Sequence, residues 1–281
     1  EVREAIDYCR YYAQQARQIL SQFITLPGIT GENNRYYFEG KGVFVCISPW
    51  SWPLAGFVGQ IAAALVTGNS VIAKPAEQAS LIAFRTSLLV HEAGIPANVF
   101  QLLPGDGQQL GALLLSDRRV TAVAFAGSID NAQSVNRQLA ERPGPLAKVI
   151  AETGSVNAMI ADSTALPEHV VRDVLKSAFS HAGQRCASLR VLFVQNEIAD
   201  IVKTLLAGAM AELQTGNPEW VETDVGPVID SEAQQMLFNH IAEMQEIAKW
   251  QVHTELPDHC SLGAFVPPCA FEIEHLEKIQ R

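Results

Sequence analysis

Through its first 151 residues the chain repeats one pattern, a short continuously apolar run followed by a helical stretch. That repeat restricts the fold more than any other feature of the sequence. The runs fall at 42–47, 70–73, 99–103, 120–125 and 148–151, and helical periodicity separates them near 54–67, 79–93, 108–115 and 131–140. Strands apolar on both faces and spaced by helices predict an α/β fold with a parallel sheet covered on both sides. Ahead of them, residues 2–23 repeat apolar and polar side chains at three and four, which predicts an amphipathic helix closed by Pro27-Gly28. A second set of elements begins after about residue 155, with an apolar run at 158–161, a helix at 167–179 and a strand at 190–194. The expected organisation is a helical lead-in over 1–41, one α/β domain over 42–154 and a second over 155–281.

In an open parallel sheet ligands bind beyond the carboxyl ends of the strands, where helix N-termini present free N–H groups to anions. The residues just after each run are therefore the informative ones. They are Ser48-Pro49-Trp50-Ser51-Trp52-Pro53, Lys74-Pro75-Ala76-Glu77, Pro104-Gly105-Asp106-Gly107, Ala126-Gly127-Ser128 and Glu152-Thr153-Gly154-Ser155. Lys74 and Glu77, with Pro75 fixing the turn, offer an ammonium and a carboxylate to a ribose diol, and the carboxylate would repel a 2′-phosphate. A solvated turn with a loose ion pair is the alternative. Gly105-Asp106-Gly107 could approach a pyrophosphate, although taken alone the motif is better explained by an ordinary turn.

Composition narrows the partners. With 281 residues there is chain for about two domains. Thirty acidic against 20 basic residues leave a net charge of −10 with no Lys/Arg cluster, which argues against nucleic acid. The most apolar stretch, 57–66, is broken by Gln60 and is about half the length a membrane span needs, so it is expected as a buried helix. The five cysteines lack CxxC pairs and zinc-type spacing, which predicts no metal site and a reducing, cytoplasmic setting. The chain starts at Glu1 without a methionine, and 270–281 continue in a charged, helical-looking pattern, so a piece of a longer polypeptide is expected.

Cys186 lies in His181-Ala182-Gly183-Gln184-Arg185-Cys186-Ala187-Ser188, between a helix and an apolar strand. Glycine and polar neighbours suit an accessible thiol nucleophile, and a small buried core residue is the plainer reading. Glu152 ends an apolar strand at the ligand edge, where a partly desolvated carboxylate can act as a general base; a loop glutamate in an ion pair is the alternative. His181 is five residues from Cys186, but no oxyanion motif accompanies it, which argues against a protease-type dyad.

Taken together, Pro-Trp-x-x-Pro at 49–53, Lys74-Pro75-Ala76-Glu77, Gly127-Ser128, Glu152-Thr153-Gly154 and Gly183-Gln184-Arg185-Cys186 resemble the aldehyde dehydrogenase superfamily. The 34 residues from Glu152 to Cys186 match that family's spacing of base and nucleophile. Within it, residues 1–12, 75–78, 88–96 and 226–230 are most similar to the L-glutamate γ-semialdehyde dehydrogenase modules of bacterial proline utilization proteins. The resemblance implies a Rossmann-like NAD-binding domain followed by part of an α/β catalytic domain, incomplete at its C-terminus. It implies NAD held by Ile47, Ser48, Pro49, Trp50, Lys74, Ala76, Glu77, Gly107, Gly111, Gly127, Ser128, Thr153 and Gly154. Cys186 would be the nucleophile, Glu152 the base, Ser51 an oxyanion donor, and Arg185 and Ser188 contacts of a small aldehyde substrate. Oxidation of glutamate semialdehyde to glutamate, a proline dehydrogenase domain upstream on the same polypeptide and a homo-oligomer when full length are implied as well.

Four positions depart from the family pattern. Ser51 replaces an asparagine whose amide helps to hold the oxyanion, and loss of one such donor typically costs ~10²–10³ in rate. Ala126 stands for threonine, Ser155 for a second glycine, and Ala187-Ser188 inverts the usual Ser-Ala. The rival expectation is thus a degenerate nucleotide-binding or scaffolding domain, against which stand both Cys186 and Glu152.

Overall fold

The computed structural model describes residues 1–275 and 277. Two compact units divide the chain, Glu1–Gly154 and Ser155–Arg281. The first opens with α1 (Val2–Ile19), an antiparallel ribbon of β1 (Ile24–Leu26) and β2 (Asn34–Tyr36), and then the alternating series. That series is β3 (Val43–Ser48), α2 (Ala55–Val66), β4 (Ser70–Pro75), α3 (Ser80–Glu92), β5 (Phe100–Leu102), α4 (Gly107–Ser116), β6 (Val120–Gly127), α5 (Ile129–Glu141) and β7 (Lys148–Thr153). The lead-in thus departs from expectation in two ways. Its helix stops at Ile19 rather than at Phe23, and a ribbon fills part of the segment before residue 41.

All pairings in the five-stranded sheet are parallel, in the order β5-β4-β3-β6-β7. The order reverses between β3 and β6, which is where open sheets of this kind form their ligand crevice. Alternate side chains of each strand feed two cores. On one face Cys46, Val71, Ala73, Phe100 and Ala124 pack against Phe57, Ile61 and Ala64 of α2 and Ala83 of α3. On the other, Val45, Val123 and Phe125 pack against Leu115 of α4 and Ala132, Val135 and Leu139 of α5. Burying a side chain such as Phe57 or Phe100 contributes ~1.5–3 kcal/mol, and the strands are apolar on both faces because both are covered.

Three devices hold α2 in place. Its C-terminus turns through Gly68, at φ +83, so closely to Gly40 that a Cβ on Gly40 would lie 2.1 Å from the Gly68 carbonyl oxygen. The buried Asn69 then joins helix to sheet: its Oδ1 accepts from the N–H groups of Lys41 (2.6 Å) and Gly42 (3.1 Å), and its Nδ2 donates to the Ala64 carbonyl (3.1 Å) and to Thr67 Oγ1 (2.9 Å). At the other end Trp52 lies against Gly56, donates from its indole N–H to Glu4 (2.9 Å) and meets Tyr8 of α1 edge-on.

The second unit contains β8 (Asn157–Ala161), α6 (Pro167–Phe179), β9 (Leu189–Val194), α7 (Asn196–Ala211), α8 (Ser231–Ile247), β10 (Trp250–His253) and β11 (Cys269–Glu272). β8 and β9 are parallel, and Val170, Val171, Val174, Leu189, Val202, Leu206 and Met210 make its core. The helical-looking pattern at 270–281 is in its first part the strand β11, whose cross-strand pairing with β10 overrides the helical spacing. Residues 276 and 278–281 lie outside the described residues. Among the described residues, no helix is long and apolar enough to cross a membrane.

Candidate active site

At the carboxyl edge of the first unit, Ile47 and Ser48 end β3 and Pro49, Trp50 and Ser51 follow, all half-buried except the buried Ser48. The Ser48 carbonyl accepts from the Ala76 N–H (3.1 Å), tying the end of β3 to the turn after β4, while its hydroxyl is buried and bonded to nothing among the described residues. An orphaned buried hydroxyl is costly unless a ligand completes it. Beside it Lys74 is not the loose, solvated ion of the plainer reading. Its side chain is 5% exposed, and the ammonium donates to the Pro75 carbonyl and to Glu77 Oε1, both at 3.1 Å. Burial acts to raise the Glu77 carboxyl, but its own backbone N–H, Lys74 and the Gly107 N–H outweigh that and hold it below the ordinary range. Glu77 is therefore ionised at neutral pH.

Gly107 opens α4 against this pair: a Cβ there would lie 3.4 Å from both Lys74 Nζ and Glu77 Oε1. The preceding Asp106 is the N-cap, accepting from Gln109 N–H at 2.7 Å, so the turn reading and the helix-opening reading of this segment describe the same residues. Gly111, one turn on, has open space where a side chain would be. Gly127 ends β6, and Ser128 caps α5 by accepting from Asn131 N–H at 3.3 Å. Thr153 is half-buried at the end of β7, while Glu152 and Gly154 are exposed. Glu152 acts on Tyr12 of α1, whose hydroxyl is raised first by burial and then by the Glu152 and Tyr11 charges. An acceptor-donor pair, a glycine helix start and an unpaired hydroxyl on one sheet edge suit the ribose and phosphate groups of a dinucleotide.

In the second unit Cys186 is exposed at the corner of a turn closed by the Ser188 N–H on the Arg185 carbonyl (3.1 Å). Ser188 is buried, and its hydroxyl faces back into the turn, accepting from Arg185 N–H at 3.3 Å. A pocket of about 440 Å³ adjoins the turn, lined by Met159, Ser177, His181, Arg185, Ala187 and Ser188 among others. Three successive residues before it, His181 (φ 57), Ala182 (φ 52) and Gly183 (φ 67), are left-handed. Such a conformation costs a non-glycine residue ~1–2 kcal/mol, and it recurs where a site demands a particular backbone path. Arg190 donates to the Gly183 carbonyl (2.6 Å), and the Gln184 amide bridges to the Pro227 carbonyl (3.3 Å) and the Ile229 N–H (2.8 Å).

Sequence reasoning passed over Asn157, whose Nδ2 donates to the Cys186 carbonyl (2.6 Å) and to the Ser188 carbonyl (2.9 Å). The signal for it was a lone amide at the head of an apolar run. Asn69 was missed likewise, and Gln184 stood only as part of a motif, because an amide in a sequence does not say which backbone it will hold.

Comparison with known proteins gives the family and the fold. The protein is similar to the bifunctional protein PutA of Escherichia coli, 47% identical over 289 residues, covering 100% of this chain and 21% of that protein. It is 34% identical to the 1-pyrroline-5-carboxylate dehydrogenase of Anoxybacillus flavithermus, over 96% of this chain and 53% of that one. Among solved structures, a bifunctional proline utilization A protein superposes with a TM-score of 0.95 at 50% identity, over 99% of this chain and 28% of that one. A 1-pyrroline-5-carboxylate dehydrogenase from Thermus with bound NAD gives 0.90 at 29% identity, over 95% and 52%. The chain thus spans about a fifth of the length of the PutA relatives and about half that of the dehydrogenases. With these likenesses goes a match of residues 1–280 to the aldehyde dehydrogenase family model, and the chain belongs to the aldehyde dehydrogenase family.

Proposed function

We propose that this chain is the dehydrogenase part of an enzyme that oxidises L-glutamate γ-semialdehyde to L-glutamate with NAD⁺ in proline catabolism. The observation that carries the reading is Cys186, an exposed thiol at the corner of a turn in which the carbonyls of Arg185, Cys186 and Ser188 each accept a hydrogen bond. The Cys186 thiolate attacks the aldehyde carbon, and the oxygen that takes up the charge is met by the Cys186 N–H, with the Ser51 hydroxyl as a second, shorter donor. NAD⁺, when bound, supplies the acceptor for the hydride that leaves this carbon. Glu152 then takes a proton from the water that attacks the thioester carbon, and Cys186 leaves as thiolate. Lys74, Glu77 and Gly107, with Ser48 and the starts of α4 and α5, hold the dinucleotide in this reading. Arg185 and Ser188 serve the substrate through the backbone of their turn and the pocket beside it. Glu77, ionised and already bonded to Lys74, disfavours a 2′-phosphate. A proline dehydrogenase domain on the same polypeptide and assembly into a homo-oligomer in the cytoplasm belong to the same proposal.

The test is NADH formation, followed by absorbance, from NAD⁺ and glutamate semialdehyde with the intact protein and its Cys186→Ala variant. Turnover that Cys186→Ala abolishes, with NAD⁺ bound more tightly than NADP⁺, is the expected result. The four altered positions favour a second reading, a nucleotide-binding domain without chemistry. NAD⁺ binding without turnover in the unaltered protein would establish it.

A further inference from the structure

We infer that Asn157 is a positioning residue for the nucleophile: its side-chain amide holds the turn that carries Cys186 in the conformation from which the thiol reacts. The inference rests on the reading of Cys186 as the nucleophile.

Asn157 is the first residue of β8, and the β8/β9 pairing is irregular at this point. Asn157 lies opposite Leu189 while Ala158 lies opposite Val191, so Arg190 has no partner in the ladder. The slip brings the end of the nucleophile segment alongside the Asn157 side chain instead of its backbone. A carboxamide nitrogen has two hydrogens. Those of Asn157 go to two carbonyls of one turn, Cys186 at 2.6 Å and Ser188 at 2.9 Å. The Arg185 carbonyl, on the other side of the nucleophile, is taken by the Ser188 N–H at 3.1 Å.

Both peptide planes flanking Cys186 are therefore fixed. A trans peptide points its N–H opposite to its carbonyl, so with the Arg185 carbonyl turned inward the Cys186 N–H is aimed out of the turn. That is the donor the oxyanion requires. Without Asn157 the Cys186 carbonyl would lose its side-chain donor, and rotation about the Cys186 ψ angle would move the peptide plane that follows the thiol. The freed carbonyl oxygens would also bring unshared negative charge to the turn, which disfavours a thiolate. The pairing of β8 with β9 runs through backbone groups and does not itself need these two bonds.

The experiment uses the intact protein with Asn157→Ala and Asn157→Asp, the second keeping size but replacing both hydrogens with an acceptor that faces two carbonyls. The folded fraction is read from the far-UV circular dichroism amplitude lost on urea unfolding, and kcat is expressed per folded molecule. A positioning role predicts kcat lower by ~10- to 100-fold per folded molecule with KM changed much less, the loss larger for Asp than for Ala. The alkylation rate against pH should shift its midpoint upward in both variants, while the Kd for NAD⁺ stays within about twofold of the parent. A residue that merely stabilised the fold would reduce the folded fraction and leave kcat per folded molecule and the alkylation midpoint where they were. That result overturns the inference. Should Asn157→Ala fail to fold, Asn157→Asp decides. Should the parent protein itself not turn over, the reading of the chain as an active dehydrogenase fails separately, and the alkylation midpoint alone decides the role of Asn157.

Discussion

Burial sorts the thiols of this chain. Desolvation penalises the thiolate, so Cys46 in the sheet core is pushed up to about 12 and Cys269 on β11 to about 11, and Cys9 and Cys260 are raised for the same reason. Cys186 stands exposed at its turn, and so does Cys9 on α1, whose thiol is nonetheless raised. Because only the thiolate attacks, the raised thiols stay protonated near pH 8 and gain reactivity only as pH climbs toward their own values. A limiting amount of iodoacetamide at pH 8 should therefore label Cys186 first, read by peptide mass spectrometry. Earlier labelling of Cys46 or Cys269 would remove Cys186 as nucleophile. Ser51 carries the second residue-level prediction. In the proposed reaction asparagine there would supply an amide donor where serine offers only a hydroxyl, so Ser51→Asn should raise kcat/KM for glutamate semialdehyde by ~10-fold, or ~1.4 kcal/mol, without moving NAD⁺ affinity. If the rate is unchanged while Cys186→Ala abolishes it, other donors hold the oxygen.

At the scale of elements the five parallel strands and their intervening helices were legible because each is long enough to bury a face and therefore repeats a period. The helix at 167–179 matches its expected bounds as Pro167–Phe179. What resisted was short or exposed. β1 and β2 have three residues each, with little burial to impose alternation, and β10 and β11 are recognisable only through each other. Among the candidate residues, Lys74, Glu77 and Cys186 could be singled out because their chemistry is rare at such places, whereas Asn157 could not, since its hydrogen bonds arise only where β8 and β9 slip in register. The joint between α2 and the sheet offers an element-level prediction. Asn69→Ala strips the N–H groups of Lys41 and Gly42 of their side-chain acceptor inside a close backbone approach. Urea denaturation should show a loss of ~2–4 kcal/mol. A loss below about 1 kcal/mol would mean that water takes over the amide's bonds.

For the molecule as a whole, each unit has its own core, and the carboxyl edge of the first unit's sheet is assembled from loops far apart in sequence. Adding NAD⁺ should accordingly slow amide hydrogen exchange at 47–51, 74–77, 104–111 and 126–131 together, and leave the α6 and α7 helices unchanged. Protection confined to α6 and α7 would place the nucleotide elsewhere. The left-handed run at His181 and Ala182 has a consequence for how such a protein changes over time. Glycine adopts that conformation without the penalty, so substitution at either position is among the first that a search for thermostable variants would retain. The same glycine would widen the paths open to the segment leading into Cys186. Selection for heat resistance and selection for turnover would thus pull in opposite directions at these two residues.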